Sequence, residues 1–274
     1  FYVLGVGAAQ ILSGFMIDLY PWYVPLIIVS IGGFICIIFL FFMEEPQKST
    51  KGESWITLED FRNIWKVKSN KLIFSLNFIM FIGIGAISQE LIRLLELDYK
   101  FSGSFATISL ILVFITQIPS GIILGNFGDK QFINDKRGRI KVVLICLLCG
   151  STLYIIGYLM VFPYYDAFMV TIFLIILASG AFFFGGIDPS LQASLGDVNT
   201  SKYRATCYAI NNLTYTFGRS ISLLLLGIIF IDFGSYRPGF IILSIIAISC
   251  SLILIPLMKN FPSDLIERES NQEI

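Results

Sequence analysis

Predominantly apolar runs of about twenty residues, separated by short charged connectors, constrain this chain more than any other feature. Eight are legible, at approximately 1–17, 22–43, 72–92, 103–127, 141–162, 166–188, 205–231 and 238–258. A helix rises ~1.5 Å per residue, so ~20 residues cross a ~30 Å hydrocarbon core. Lipid offers no partner to an unpaired backbone amide, which leaves helices and closed barrels as the spanning structures. Barrel strands alternate apolar and polar side chains, whereas these runs are continuous. The expected fold is an all-α, polytopic membrane protein with eight transmembrane helices.

Composition narrows the chemistry. Charged residues make up 14% of the chain, against about 25% in a soluble domain. The formal net charge of +0 gives no electrostatic case for nucleic acid. There is no histidine for a proton relay or a metal. Cys36, Cys146, Cys149, Cys207 and Cys250 all fall within apolar runs or at their ends. Cys146 and Cys149 form a C-x-x-C, yet it lies in the uncharged stretch 142–162 with no second ligand pair, so both read as small hydrophobes. No cofactor and no metal are expected. A membrane-embedded enzyme would need His, Cys or carboxylates clustered inside spans, so the chain is not expected to be an enzyme.

The first run lacks the basic n-region and small-residue cleavage site of a signal peptide, so 1–17 is expected to be a true span of a truncated chain. Lysine and arginine set the orientation. Loops 44–71, 128–141 and 189–204 and the tail 259–274 together hold 15 of the 19 basic residues. The positive-inside rule places that side, with the C-terminus, in the cytoplasm of a multi-pass cell-membrane protein. Within 44–71, Thr57-Leu58-Glu59-Asp60 reads as a capping-box start. The helix it opens sets Phe61, Ile64 and Trp65 against Arg62, Lys66 and Lys68. Such a helix suits the membrane surface and equally a solvated linker. Spans 22–43, 142–162 and 239–258 carry no charge and read as lipid-facing outer helices. Gly5, Ala9 and Ser13, and again Gln117, Gly121 and Gly125, recur every fourth residue, a spacing that lets helices approach closely.

Two constellations carry candidate mechanism. In the run 205–231, Tyr208, Asn212, Tyr215, Arg219 and Ser222 fall at spacings of 4, 3, 4 and 3, on one helical face. An arginine at mid-membrane costs at least ~2.5 kcal/mol in lipid, so this stripe should face protein or water. It reads as a solute pathway or, alternatively, as a structural arginine neutralised by a neighbouring helix. Asp188 and Glu90 are the carboxylates that could pair with Arg219 or take up a coupling proton. The favoured readings, however, are a helix-end cap for Asp188 and, more strongly, an interfacial partner of Arg93 for Glu90.

The second constellation is Gly125-Asn126-Phe127-Gly128-Asp129-Lys130 followed by Lys136-Arg137-Gly138-Arg139-Ile140-Lys141. It packs five basic residues and two aspartates into seventeen positions between uncharged stretches 101–128 and 142–162. This segment resembles the signature loop of the major facilitator superfamily, secondary transporters that move small solutes. It departs from the family pattern of aspartate, basic, any, glycine: Asp129 and Gly138 stand nine apart, an insertion of six residues. The stretch Gly196-Asp197-Val198-Asn199, then Arg204-Ala205-Thr206, Asn212 and Gly218-Arg219, looks like the segment joining the tenth and eleventh helices of Spinster-like members. Glu45-Pro46 resembles the end of their sixth helix.

The resemblance implies a twelve-helix, two-bundle fold of which this chain covers the fifth to twelfth helices. Residues 1–43 would close the N-terminal bundle, 44–71 would be a cytoplasmic linker, 72–258 the C-terminal six-helix bundle and 259–274 a cytoplasmic tail. It also implies a cytoplasmic latch built from Gly125, Asp129, Lys130, Arg137, Gly138 and Arg139. There Asp129 would face the helix start near Phe1 to Gly5, and Lys130 and Arg139 would be the basic partners. The two small-residue faces would meet across the halves. The expected function is transport of a small organic or amphiphilic solute across the lipid bilayer by alternating access, with H+ as a candidate coupling ion. The alternative is a non-transporting membrane protein, either a signalling or scaffold relative or an enzyme.

Overall fold

The computed structural model of the protein describes residues 23–42, 57–163 and 165–270, together with Met16, Tyr20 and Pro21. Every regular element among the described residues is helical. Helix α1 is Tyr23–Leu40 and the short α2 is Leu58–Lys66. The first long span joins α3 (Lys68–Ile84), α4 (Ile87–Arg93) and a π-helical turn, Leu94–Asp98. The second joins α5 (Gly103–Ile115) and α6 (Gln117–Asn134), and the third is α7 (Gly138–Leu159). The fourth joins α8 (Ala167–Gly185) and α9 (Ile187–Val198), and the fifth is α10 (Ser201–Phe233). The sixth joins α11 (Arg237–Ser249) and α12 (Ser251–Ser270). Among the described residues, six stretches are long and apolar enough to cross a membrane, and α1 is a shorter apolar helix. The expected first span, Met16 apart, lies outside the described residues.

Several spans outrun the bounds that hydropathy suggests. Charge ends burial in lipid but does not end a helix, because lysine, aspartate and asparagine remain compatible with helical backbone in water. Helix α6 continues to Asn134, so Asp129 and Lys130 are helical and only residues 135–137 form the turn to α7. The last span likewise stays helical to Ser270, and its end packs back on the bundle, with Phe261 and Leu265 buried. Asp188 stands in the first turn of α9, with Pro189 inside the same helix, so it does not cap a helix end.

Breaks within spans are compensated from neighbouring helices. At the α3–α4 break the Ala86 amide donates to Ser222 Oγ of α10 at 2.9 Å. At the α8–α9 break the Gly186 amide turns to the carbonyls of Phe183 and Phe184. The Phe182 carbonyl, freed from its usual partner, accepts from Ser120 Oγ of α6. One turn earlier Thr116 Oγ1 donates to the Ala178 carbonyl at 2.9 Å. Lipid cannot supply these bonds, so the hydroxyls hold the helices in register.

One expectation is corrected by packing. Helix α7 was expected on the lipid-facing outside, but half of its apolar window is buried, with Cys146, Leu147, Tyr154 and Tyr158 in the core. Absence of charge permits lipid contact and equally permits burial. The Gln117–Gly121–Gly125 face meets Gly185 and Pro189 of α8 and α9 within the same bundle; a Cβ on Gly185 would come within 2.9 Å of Gln117 Cα. Its expected counterpart, Gly5, Ala9 and Ser13, lies outside the described residues.

Candidate functional site

The charged end of the α6–α7 pair is built around one tight turn. Asp135 Oδ1 accepts from the Arg137 amide at 2.9 Å, and Asp135 Oδ2 accepts from Lys141 Nζ at 2.7 Å. Those donors, Lys141 first, hold the Asp135 carboxyl below its usual range. A Cβ on Gly138 would sit 2.3 Å from the Gln131 backbone, so only glycine lets the chain reverse here. The reversal brings Arg139 back alongside α6. Its Nε donates to Asp129 Oδ1 at 2.7 Å and its Nη1 to Asp197 Oδ2 of α9. The guanidinium stacks over Phe132 at 4.2 Å, and Phe132 packs edge-on against Phe261 of α12. Arg268 of α12 donates to the Asp197 carbonyl.

Arg139 therefore ties three elements together, while Lys130 and Arg137 are exposed and form no salt bridge among the described residues. Gly125 makes only an ordinary contact, with Pro189. The start of the first span, where Asp129 was expected to point, lies outside the described residues.

The second candidate site runs along α10 where it packs on α3. The stripe expected from the sequence divides into several environments. Tyr208 Oη donates to the Gln192 carbonyl of α9 at 3.3 Å. Asn212 is exposed on the outer surface of the bundle. Arg219, near the middle of α10, donates from Nη1 to Tyr215 Oη at 3.1 Å, and the Tyr215 ring lies edge-on to Phe81 at 4.1 Å. Ser222 is buried and takes the Ala86 amide. Close approach makes this possible, since a Cβ on Gly218 would fall 2.4 Å from the Phe78 carbonyl oxygen. Glu90 is ion-paired with Arg93 at 3.2 Å and Asp188 accepts from Gln192 at 3.3 Å, so the structure brings neither carboxylate onto Arg219.

Sequence reasoning missed the polar residues that join α3 to its neighbours. Asn77 donates its side-chain amide to Asn211 Oδ1, and both are almost fully buried. Two turns nearer the start of α3, Asn70 and Asn199 exchange two amide bonds at 2.9 and 2.7 Å. The available signal was two asparagines seven residues apart in α3, a spacing that returns each to one face. Asn211 and Asn212 are adjacent, and periodicity alone selected the exposed one. An apolar groove of about 480 Å³ between α5 and α8, lined by Phe105, Leu112 and Leu174 among others, touches none of these residues.

Comparison with known proteins places these sites in context. The family model described as Major Facilitator Superfamily matches residues 1–134 and 73–272. The two matches overlap and together cover nearly the whole chain. No curated protein matches the sequence.

Proposed function

The chain belongs to the major facilitator superfamily, and we propose that it moves a small organic or amphiphilic solute by alternating access, with Arg219 and its neighbours on the path. Members of this superfamily are secondary transporters that carry small molecules across the bilayer, so a multi-pass membrane transporter is the premise.

The observation that carries the reading is the polarity of α10. It bears Arg219 near its middle and Asn212 on a face turned out of the bundle. A polar face and a cation at that depth are costly against lipid, and a water-filled path between bundles removes the cost. The Arg139–Asp129–Asp197 contact supports a cytoplasmic latch that closes against that path. A proton is the candidate coupling ion, with Glu90 and Asp188 as the carboxylates to take it up. The proposed location is the cell membrane with the C-terminus in the cytoplasm. A non-transporting relative would keep the bundle contacts without needing Arg219 accessible.

The test combines topology and transport. Cysteine cannot replace Gly138 without collision, so exposed Lys136 and Asp232 are the labelling positions. Lys136→Cys is expected to react with an impermeant thiol reagent only from the cytoplasm and Asp232→Cys only from outside. In proteoliposomes screened for uptake of small organic solutes, Arg219→Lys should insert normally and lose most transport, because lysine keeps charge but not the planar fork. Wild-type uptake by Arg219→Leu would remove Arg219 from the path.

A further inference from the structure

We propose that α2 is an anionic-lipid sensor: a surface helix that docks on the cytoplasmic leaflet and passes that state to the start of α10 through Asp60. This goes beyond the transport reading and needs no knowledge of the solute.

Position comes first. Helix α2 is followed by one linking residue, Val67, and then by Lys68, the first residue of a membrane span. The chain does not run away from the bilayer there. Asn70 Nδ2 donates to the Ile64 carbonyl at 3.0 Å, and the Trp65 ring lies edge-on to Phe74, six residues into the span, at 5.7 Å. A contact at Phe74 holds α2 at headgroup depth, where tryptophan is favoured.

The faces of α2 are ordered around its axis at ~100° per residue. Asp60 and Ile64 point inward and are buried. Next come Phe61, Trp65 and Leu58, which are 42%, 37% and 91% exposed. Arg62 and Lys66 follow, exposed, and exposed Lys68 and Lys71 extend the basic edge onto α3. An aromatic stripe flanked by four cations, at the end of a span, matches an anionic leaflet in both depth and charge. The exposed aromatic face and basic edge lie where a membrane span begins, at Lys68, and their positive charge complements anionic headgroups, which commits the surface to lipid.

The inward face supplies the transmission. Asp60 Oδ1 accepts from Lys202 Nζ at 2.7 Å and from Tyr203 Oη at 3.0 Å. Both donors belong to the first turn of α10, the helix that carries Asn212 and Arg219. The capping box seats Asp60 rigidly, since Thr57 N–H donates to Oδ2 at 3.0 Å while Thr57 Oγ1 accepts from the Asp60 amide. A change in the seating of α2 thus reaches α10 through one carboxylate.

The test uses the full chain in nanodiscs of phosphatidylcholine, with or without one part in three of phosphatidylglycerol. With Trp22→Phe and Trp55→Phe in place, Trp65 is the remaining tryptophan. Anionic lipid is expected to blue-shift its emission and to slow hydrogen exchange severalfold in the amides of 203–210. Exchanging Arg62, Lys66, Lys68 and Lys71 for Gln should erase both effects, at roughly fivefold in affinity per charge. The thermal midpoint of this variant in phosphatidylcholine checks that it folds. Lys202→Gln should keep the Trp65 shift and lose the slowed exchange. Equal behaviour in the two lipids, a shift that survives the four-charge variant, or its reproduction by soluble inorganic phosphate overturns lipid docking. Slowed exchange that persists in Lys202→Gln overturns the transmission.

Discussion

Arg139 Nε meets Asp129 Oδ1 at 2.7 Å, although the two residues stand on consecutive helices with a chain reversal between them. The six extra residues relative to the superfamily pattern do not separate these charges. They extend α6 past Asp129 to Asn134, and the turn at residues 135–137 then returns Arg139 to its level. The same guanidinium reaches Asp197, so one cation serves two carboxylates on different helices.

Exposure ranks the members of this cluster. Asp129 is 56% exposed, Asp197 30% and Arg139 14%. Asp129→Asn is expected to cost only about 0.2–1 kcal/mol of stability, as for a surface pair. Arg139→Ala should cost about 2–3 kcal/mol, since it leaves Asp197 partly buried without its cation and removes the stacking on Phe132. Asp197→Asn should fall between. Thermal unfolding of the three variants in detergent gives the order, and a larger loss for Asp129→Asn than for Arg139→Ala would refute the ranking.

The buried Asn77–Asn211 pair should behave as a coupled unit. Replacing either by Leu leaves the other amide unsatisfied in an apolar interface, at about 1–3 kcal/mol. The double variant Asn77→Leu/Asn211→Leu removes both polar groups and should recover most of that loss. Asn212→Leu, at the adjacent exposed position, should leave stability unchanged. A double-mutant cycle in unfolding free energy reads the coupling, expected to be larger than either single loss, about 2 kcal/mol or more.

Glycines on α10 differ sharply in what surrounds them. A side chain at Gly218 would strike the Phe78 carbonyl, whereas nothing lies within 4 Å of the Cβ position at Gly227. Gly218→Ala is expected to force α3 and α10 apart at about 1–3 kcal/mol, with the Ser222–Ala86 bond weakened as well. Gly227→Ala should be neutral or slightly stabilising. Expression level and melting temperature of the two variants compare them directly.

The seating of α2 has a defined pH dependence. Lys202, then the Thr57 amide and hydroxyl and the Tyr203 hydroxyl, hold the Asp60 carboxyl well below the usual carboxylate range, against an opposing push from burial. A carboxyl depressed in the folded state stabilises it above the unfolded pKa, and that contribution disappears as pH falls through the folded value. Trp65 fluorescence, read with Trp22 and Trp55 replaced by Phe, should therefore hold steady from neutral pH to about 4, near the ordinary aspartate pKa. It should change only below that. Asp60→Asn should give a shifted, pH-insensitive signal, and a wild-type transition between pH 6 and 8 would assign the seating to another group.

The sequence by itself determined that this chain spans a membrane as helices, because lipid imposes a requirement each segment must meet alone: about twenty apolar residues with every backbone amide paired internally. The signature residues around Asp129 and Arg139 were legible for a similar reason, since charges clustered between uncharged runs stand out locally. What only the tertiary structure decided depends on rotation and reversal. Turning α10 by one residue, ~100°, buries Asn211 against Asn77 and leaves Asn212 exposed, and periodicity fits either choice. The uncharged part of α7, from residue 142 on, could lie in lipid or in the core, because both environments accept the same side chains. The pairing of Arg139 with Asp197, and of Asp60 with Lys202 and Tyr203, joins residues 58, 142 and 143 positions apart. No local spacing encodes such contacts; they exist because packed helices bring distant ends to one end of the bundle.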